Sequence, residues 1–280
     1  STSRRQRQMC IRDSNISAFG GNPNKITLMG QSAGAMSIDI HLSNSMCKND
    51  ISGAIMMSGA GLQRFLARPL KPEKTIPFWK EIMKNANVSS MEKLRHIDPK
   101  TLYYAWLKAC KEMKRSMLYT FPVYDGVLLC EGKFSLKTIP DVPYILGVTC
   151  TDMIPIVLQA VAKKWAKYTE KNNKSKCYIY NFTRHLPGDD KGAWHSADLL
   201  YAFSTLDFNW RPFEKIDYKI SKQLYKSISA FAKSGNPNCD AIPEWKSDFT
   251  KPIHFCENTH CAAWETMNNL CNTFSGFGVE

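Results

Sequence analysis

The stretch KITLMGQSAGAMSI, residues 25–38, constrains this chain more than any other. KITLM reads as a short buried strand, and residues 33–42 read as a helix that begins at once after it. Gly30, Gln31 and Ser32 lie between, with Gly34 two places on. A strand that passes straight into a helix leaves little room for side chains at the turn, so glycines flank the serine. A serine on such a corner is held in a strained backbone conformation that lifts its hydroxyl clear of the sheet. The following helix points its positive end at the same place. The N–H of Ala33, one residue on, is placed to donate to a developing oxyanion. Ser32 is therefore a candidate nucleophile. The plainer alternative is a glycine-rich turn that happens to hold a serine.

Serine alone is a weak nucleophile and needs a base and an orienting acid. On a strand–serine–helix corner the partners follow in the order acid, then histidine. His41 lies on the elbow helix, ahead of any candidate acid, and His96 sits in a polar helical stretch. His254 and His260 fall in a final, poorly patterned segment. His195, in KGAWHSADLLYAF, lies in a glycine-led loop that runs into an amphipathic helix. His185, in the loop before LPGDD, is its rival. For the acid, a carboxylate just past the end of a strand is wanted, and Asp152 after YILGVTCT fits best. Asp125, in PVYDGVLL, reads as a turn residue before glycine.

The remaining pattern alternates strands and helices. AIMM (54–57), YILGV (144–148) and CYIYNF (177–182) read as strands. Residues from about 73 to 113 carry helical periodicity, and another helical stretch starts near Ile154. Ile220, Leu224, Ile228 and Phe231 recur at helical spacing within 217–233, where SGNPN marks the end. Such alternation predicts an α/β fold built on a mostly parallel sheet with helical insertions.

Composition bounds the function. At 280 residues, 44% hydrophobic and 22% charged, the chain can bury a sizeable core. No apolar run approaches the roughly 18 residues of a membrane helix, so no membrane partner is expected. The net charge of +12 is spread in small pieces such as KPEK and KSDFTK. The densest run, Lys163–Lys176, reads as a solvated helix end and loop. Without a recognised motif this charge does not make a nucleic-acid binder. Ten cysteines show no CxxC spacing. Cys256, His260 and Cys261 could be imagined as metal ligands, but lack a second half-site. The expectation is reduced thiols, no metal and no cofactor.

With these residues in view, the chain resembles the type-B carboxylesterase/cholinesterase family of α/β-hydrolases, its bacterial p-nitrobenzyl-esterase-like members in particular. NISAFGGNPNKITLMGQSAGAMSI is similar to that family's signature segment. ISGAIMMSGAG resembles the strand after the elbow helix, and FPVYDGVLL and VPYILGVTCTDM the approach to the catalytic acid. GAWHSADLLYAFSTL resembles the histidine loop, and FAKSGNPN the helix-ending motif. The resemblance implies Ser32 as nucleophile, Asp152 as acid, His195 as base and Ser58 as a serine supporting the triad. It implies a small-molecule carboxylic ester as substrate and a cytoplasmic setting. It says nothing of oligomeric state. Two departures stand out. The acid position reads Thr151-Asp152-Met153 where relatives carry D-E-G, and Gln31 replaces a common glutamate before the serine. A second reading within the same fold is a non-catalytic adhesion or scaffold protein.

Relatives carry a long N-terminal region with an HGGG-type oxyanion loop, and no such loop precedes Ser32. The chain is thus expected to be the C-terminal portion of a larger enzyme, residues 15–280, inactive and insoluble when expressed as written. The opening RRQRQMCIRDS supports that expectation. It replaces the apolar helix that leads into the family segment, and it can be back-translated into a transposase-type sequencing adapter. Residues 1–14 are expected to be such an adapter; without them the net charge falls to +9, from 33 basic and 24 acidic residues.

Overall fold

The elements follow from where apolar runs, caps and prolines fall along the chain. In the computed structural model, residues 15–43, 50–62, 69–114, 122–126, 129, 136–172 and 174–264 are described. The opening segment 1–14, with its adapter reading, lies outside the described residues. In chain order the elements are β1 (Ile26–Gln31), α1 (Ala33–Leu42), β2 (Ile51–Met57), α2 (Pro72–Asn85), α3 (Met91–His96) and α4 (Pro99–Glu112). Then come β3 (Tyr144–Thr149), α5 (Pro155–Lys171), β4 (Cys177–Phe182), α6 (Asp198–Ala202), α7 (Lys215–Ser234), β5 (Ile253–Phe255) and β6 (His260–Cys261). The chain divides into two compact units, one of residues 1–61 with 139–280, the other of 62–138.

The first unit is built on a six-stranded sheet in the order β1-β2-β3-β4-β5-β6. Its first five strands run parallel and β6 pairs antiparallel to β5. β3 and β4 are buried at every residue, as strands covered on both faces must be. β1 differs: it is half-buried throughout and, among the described residues, pairs only with β2. The core gathers Tyr180, Phe182, Tyr201, Trp245 and Phe255. Edge-to-face contacts join Trp245 and Tyr180 to Phe255, and the Trp245 indole N–H donates to Ile179 O at 3.1 Å.

α7 runs slightly beyond its expected 217–233 because both ends are capped. Glu214 and Asp217 form a reciprocal capping box, and Gly235 takes a left-handed φ of 75°. The lysine-rich stretch after Lys163 is mostly helix rather than loop: Trp165, Ala166 and Thr169 turn inward while the lysines between them face water. β5 and β6, of three and two residues, arise in the segment that showed no pattern.

The second unit is helical. The long periodic stretch expected from 73 to 113 is three helices rather than one, broken by caps. Ser90 accepts from Lys93 N–H to start α3, and Asp98 from Thr101 N–H, followed by Pro99, to start α4. Phe78, Ile82, Leu94, Ala105 and Ala109 form its core. Among the described residues, no helix is long and apolar enough to cross a membrane.

Candidate active site

Ser32 sits on the corner between β1 and α1 with φ 54° and ψ −119°, a conformation L-residues rarely adopt. Three neighbours hold it there. Ser32 N–H donates to Met57 O at 2.8 Å, tying the corner to the end of β2. A Cβ on Gly30 would lie 2.6 Å from the Gly34 carbonyl carbon, so the first elbow glycine makes room for the second one's backbone. A Cβ on Gly59 would lie 2.3 Å from Ser32 O, so the SGAG after β2 is shaped to receive the corner. Ala33 is the first residue of α1, where an N–H has no partner within the helix.

Asp152 lies three residues beyond Thr149, where β3 ends. Its carboxylate is buried and held from three sides. Thr149 Oγ1 donates to Oδ2 at 2.8 Å, Met153 N–H donates to Oδ1 at 2.7 Å, and His195 Nδ1 lies 2.9 Å from Oδ1. An Asp152 partner at Nδ1 fixes the tautomer with the proton on that nitrogen and leaves Nε2 an acceptor.

The loop that carries His195 is stitched to the loop that carries Asp152. Thr151 N–H donates to Ala193 O at 3.2 Å, and Ala193 N–H returns to Thr151 Oγ1 at 3.0 Å. Gly192, at φ 65°, is required beside them because a Cβ would fall 2.6 Å from Thr151 Oγ1. His195 follows two residues after this bridge.

At Nε2 the partner is Gln31, whose side-chain Nε2 lies 3.3 Å away. The amide donates to the basic nitrogen. Among the described residues no hydrogen bond joins Ser32 Oγ to the imidazole. The structure thus brings Asp152 and His195 together and places Ser32 beside the glutamine that reaches them. Ser58 ends β2 with φ 49° and donates its N–H to Gly147 O at 2.8 Å, but its buried Oγ has no partner. Of the rival residues, His185 is exposed, and Asp125 lies in the helical unit, where it accepts from Leu129 N–H as a turn residue does.

One acidic residue went unnoticed in the sequence. Asp198, three places after His195, is fully buried, and Tyr180 donates its hydroxyl to Oδ2 at 2.6 Å. Burial first, and repulsion by Asp152 after it, push its carboxyl up to about 6, against the pull of Tyr180 and His195. Nothing in SADLL separates it from an ordinary acid at the start of a helix.

An open cavity of about 380 Å³ adjoins the pair, lined by Asp152, His195, the apolar Met153 and Trp194, and the cations Lys191 and Arg211. Arg211 is already committed, pairing with Asp189 and donating to Pro187 O at 2.7 Å. The metal-like trio is used otherwise: His260 Nδ1 lies 2.6 Å from Asn258 O, and Cys261 Sγ donates to Glu244 O at 3.3 Å. Among the described residues no group of three His, Cys, Asp or Glu is arranged to hold a metal ion.

Residues 12–172 and 154–269 match the model of the carboxylesterase family. Among curated proteins, the chain is 23% identical to bovine (Bos taurus) carboxylesterase 4A, over 82% of this chain and 56% of that protein. It is 29% identical to bile salt-activated lipase of Homo sapiens, over 92% of this chain and 45% of that protein. To para-nitrobenzyl esterase of Bacillus subtilis it is 27% identical, over 81% and 57%. The chain thus spans about half the length of the curated relatives it matches. A solved thermophilic pNB esterase shares the fold at a TM-score of 0.73 and 19% identity, covering 91% of this chain and 64% of that one.

Proposed function

This chain belongs to the carboxylesterase family, and on that premise we propose that it carries the acyl-transfer residues of a serine carboxylic-ester hydrolase, with Ser32 as nucleophile, His195 as base and Asp152 as orienting acid. The observation that carries the reading is the 2.9 Å contact of His195 Nδ1 with Asp152, which makes Nε2, next to Gln31, the basic nitrogen of the ring.

The chemistry follows from that tautomer. Nε2 takes the proton of Ser32 Oγ as the oxygen attacks the ester carbonyl carbon. The carbonyl electrons move to the oxygen, where the Ala33 N–H donates. As the tetrahedral centre collapses, the imidazolium returns the proton to the departing alcohol. Water then attacks the acyl-enzyme, giving its proton to Nε2, and Ser32 leaves with that proton as the carboxylic acid is released. Asp152 stays ionised throughout. For Ser32 to reach Nε2, Gln31 must first release it. Small alkyl or aryl esters fit the apolar wall of Met153 and Trp194. Among the described residues the Ala33 N–H is the backbone donor placed for the oxyanion, and each further donor is worth about a hundred-fold.

A fluorophosphonate probe tests the reading in the protein encoded by the complete reading frame. Labelling of the Ser32 peptide, abolished by Ser32→Ala, is the expected result. A protein that folds and leaves Ser32 unlabelled would favour the non-catalytic scaffold instead.

A further inference from the structure

The open cavity beside Asp152 and His195 holds a charge that the acyl-transfer steps do not use. Its wall carries three charged residues besides the histidine: Asp152, Lys191 and Arg211. Two of them are already engaged. Both oxygens of Asp152 have partners, in Thr149, the Met153 N–H and His195. Arg211 is buried, and its guanidinium is shared between Asp189 and Pro187 O. Lys191 is different. It is exposed, and among the described residues its ammonium has neither an ion pair nor a hydrogen bond.

The backbone of Lys191 is fixed although its side chain is free. Lys191 N–H donates to Asp189 Oδ1 at 3.1 Å, closing the turn before it. The next residue, Gly192 at φ 65°, accepts from Leu186 N–H at 3.3 Å and leads into the Thr151–Ala193 bridge. The loop that presents His195 therefore also presents Lys191, four residues earlier. Lysine is a point charge on a flexible stem, so an anchored backbone lets the ammonium follow an anion across the cavity it lines. The remaining wall is apolar, with Met153 and Trp194. A neutral ester would cover that wall and leave the ammonium in water. An ester with an apolar body and an anionic end would use both.

We propose that Lys191 is a specificity-determining residue, and that this site takes esters carrying a carboxylate, such as half-esters of dicarboxylic acids. The proposal rests on the acyl-transfer reading of Ser32, His195 and Asp152, and adds the far end of the substrate to it. The carboxylate takes no part in bond making: it pairs with the Lys191 ammonium while the ester carbonyl faces Ser32. Asp152 is the one charge on the wall that opposes an anion. Its charge is matched by His195 once the imidazole takes the serine proton, so the opposition is weakest during the reaction itself.

The test uses the protein from the complete reading frame and reads kcat/KM as a ratio, acid-bearing ester over neutral ester of the same length. Mono-p-nitrophenyl succinate, glutarate and adipate against p-nitrophenyl butanoate, pentanoate and hexanoate place the anion on the acyl side. 4-Carboxyphenyl butanoate against its methyl ester, 4-(methoxycarbonyl)phenyl butanoate, places it on the alcohol side. In Lys191→Gln the ratio should fall about fivefold on one of the two sides, the upper range for one exposed ion pair. Lys191→Arg should keep the ratio and Lys191→Glu should lower it further. In wild type the ratio should shrink from low to high salt, because an exposed pair is screened, and that series needs no variant to fold. A ratio unmoved by Lys191→Gln on both sides overturns the proposal, as does a wild-type ratio that salt leaves unchanged. Failure of the underlying reading is separate: hydrolysis surviving Ser32→Ala would refute the nucleophile and leave the ratio to be read as before.

Discussion

Single atoms decide much of this site. Adding one carbon at Gly147 would place it 2.1 Å from Tyr180 Cζ, inside the ring's van der Waals surface. Gly147→Ala should therefore destabilise the protein by about 1–3 kcal/mol, the usual range for overpacking, and free the Tyr180 hydroxyl from Asp198. Denaturant unfolding measures the first effect. Asp198 itself makes a prediction whose sign follows from its raised carboxyl. The unfolded acid titrates near 4 and the folded one at about 6, so folded Asp198 binds its proton more tightly. Its favourable contribution is complete below about pH 4 and lost as pH rises through 6. Relative to wild type, Asp198→Asn should gain stability as pH rises across that window and level off above it. Parallel unfolding curves from pH 4 to 8, with a constant difference, would contradict the burial argument.

Among elements, the start of α7 is tied down by its charges. Burial would raise the Asp217 carboxyl, but Arg184, the Tyr201 hydroxyl and the Glu214 N–H together hold it below the ordinary range. Stability from this cluster is present above the unfolded value near 4 and lost as pH falls below it. Asp217→Asn should cost about 3 kcal/mol near neutral pH, since it leaves a largely buried guanidinium with only Glu257. The cost should shrink in acid, as read from unfolding at pH 7 and at about pH 2. Elements of this kind were legible in the sequence to different degrees. α7 could be read because its periodicity ran up to a glycine stop, and α1 because it leaves the strand–serine corner directly. β5 and β6 could not, because three and two residues carry no period, and pairing with β4 makes them strands. Asp152 was legible as a carboxylate just past a strand, and His195 only with the family resemblance, since chain order left His185 as its rival; the structure brings the two together. Gln31 at Nε2 and the burial of Asp198 were not, because their partners, His195 and Tyr180, approach only in the folded sheet.

At the scale of the whole molecule, the strand that delivers Ser32 is less covered than the central strands of the sheet. β1 is half-buried along its length, while β3 and β4, further along in the order, are wholly enclosed. On the proposed reading, Gln31 on Nε2 of His195 stands between the base and Ser32. Purified alone, the 280-residue chain should hydrolyse p-nitrophenyl esters no faster than its Ser32→Ala variant, and a clear excess over that control would contradict this. The protein from the complete reading frame should behave differently. The most direct test of the site is to quench it with acid during turnover of a p-nitrophenyl ester and map the peptides by mass. An acyl group on the Ser32 peptide, absent in His195→Ala, is the predicted result. Turnover with the acyl group on another residue, or with none found at Ser32, would contradict it.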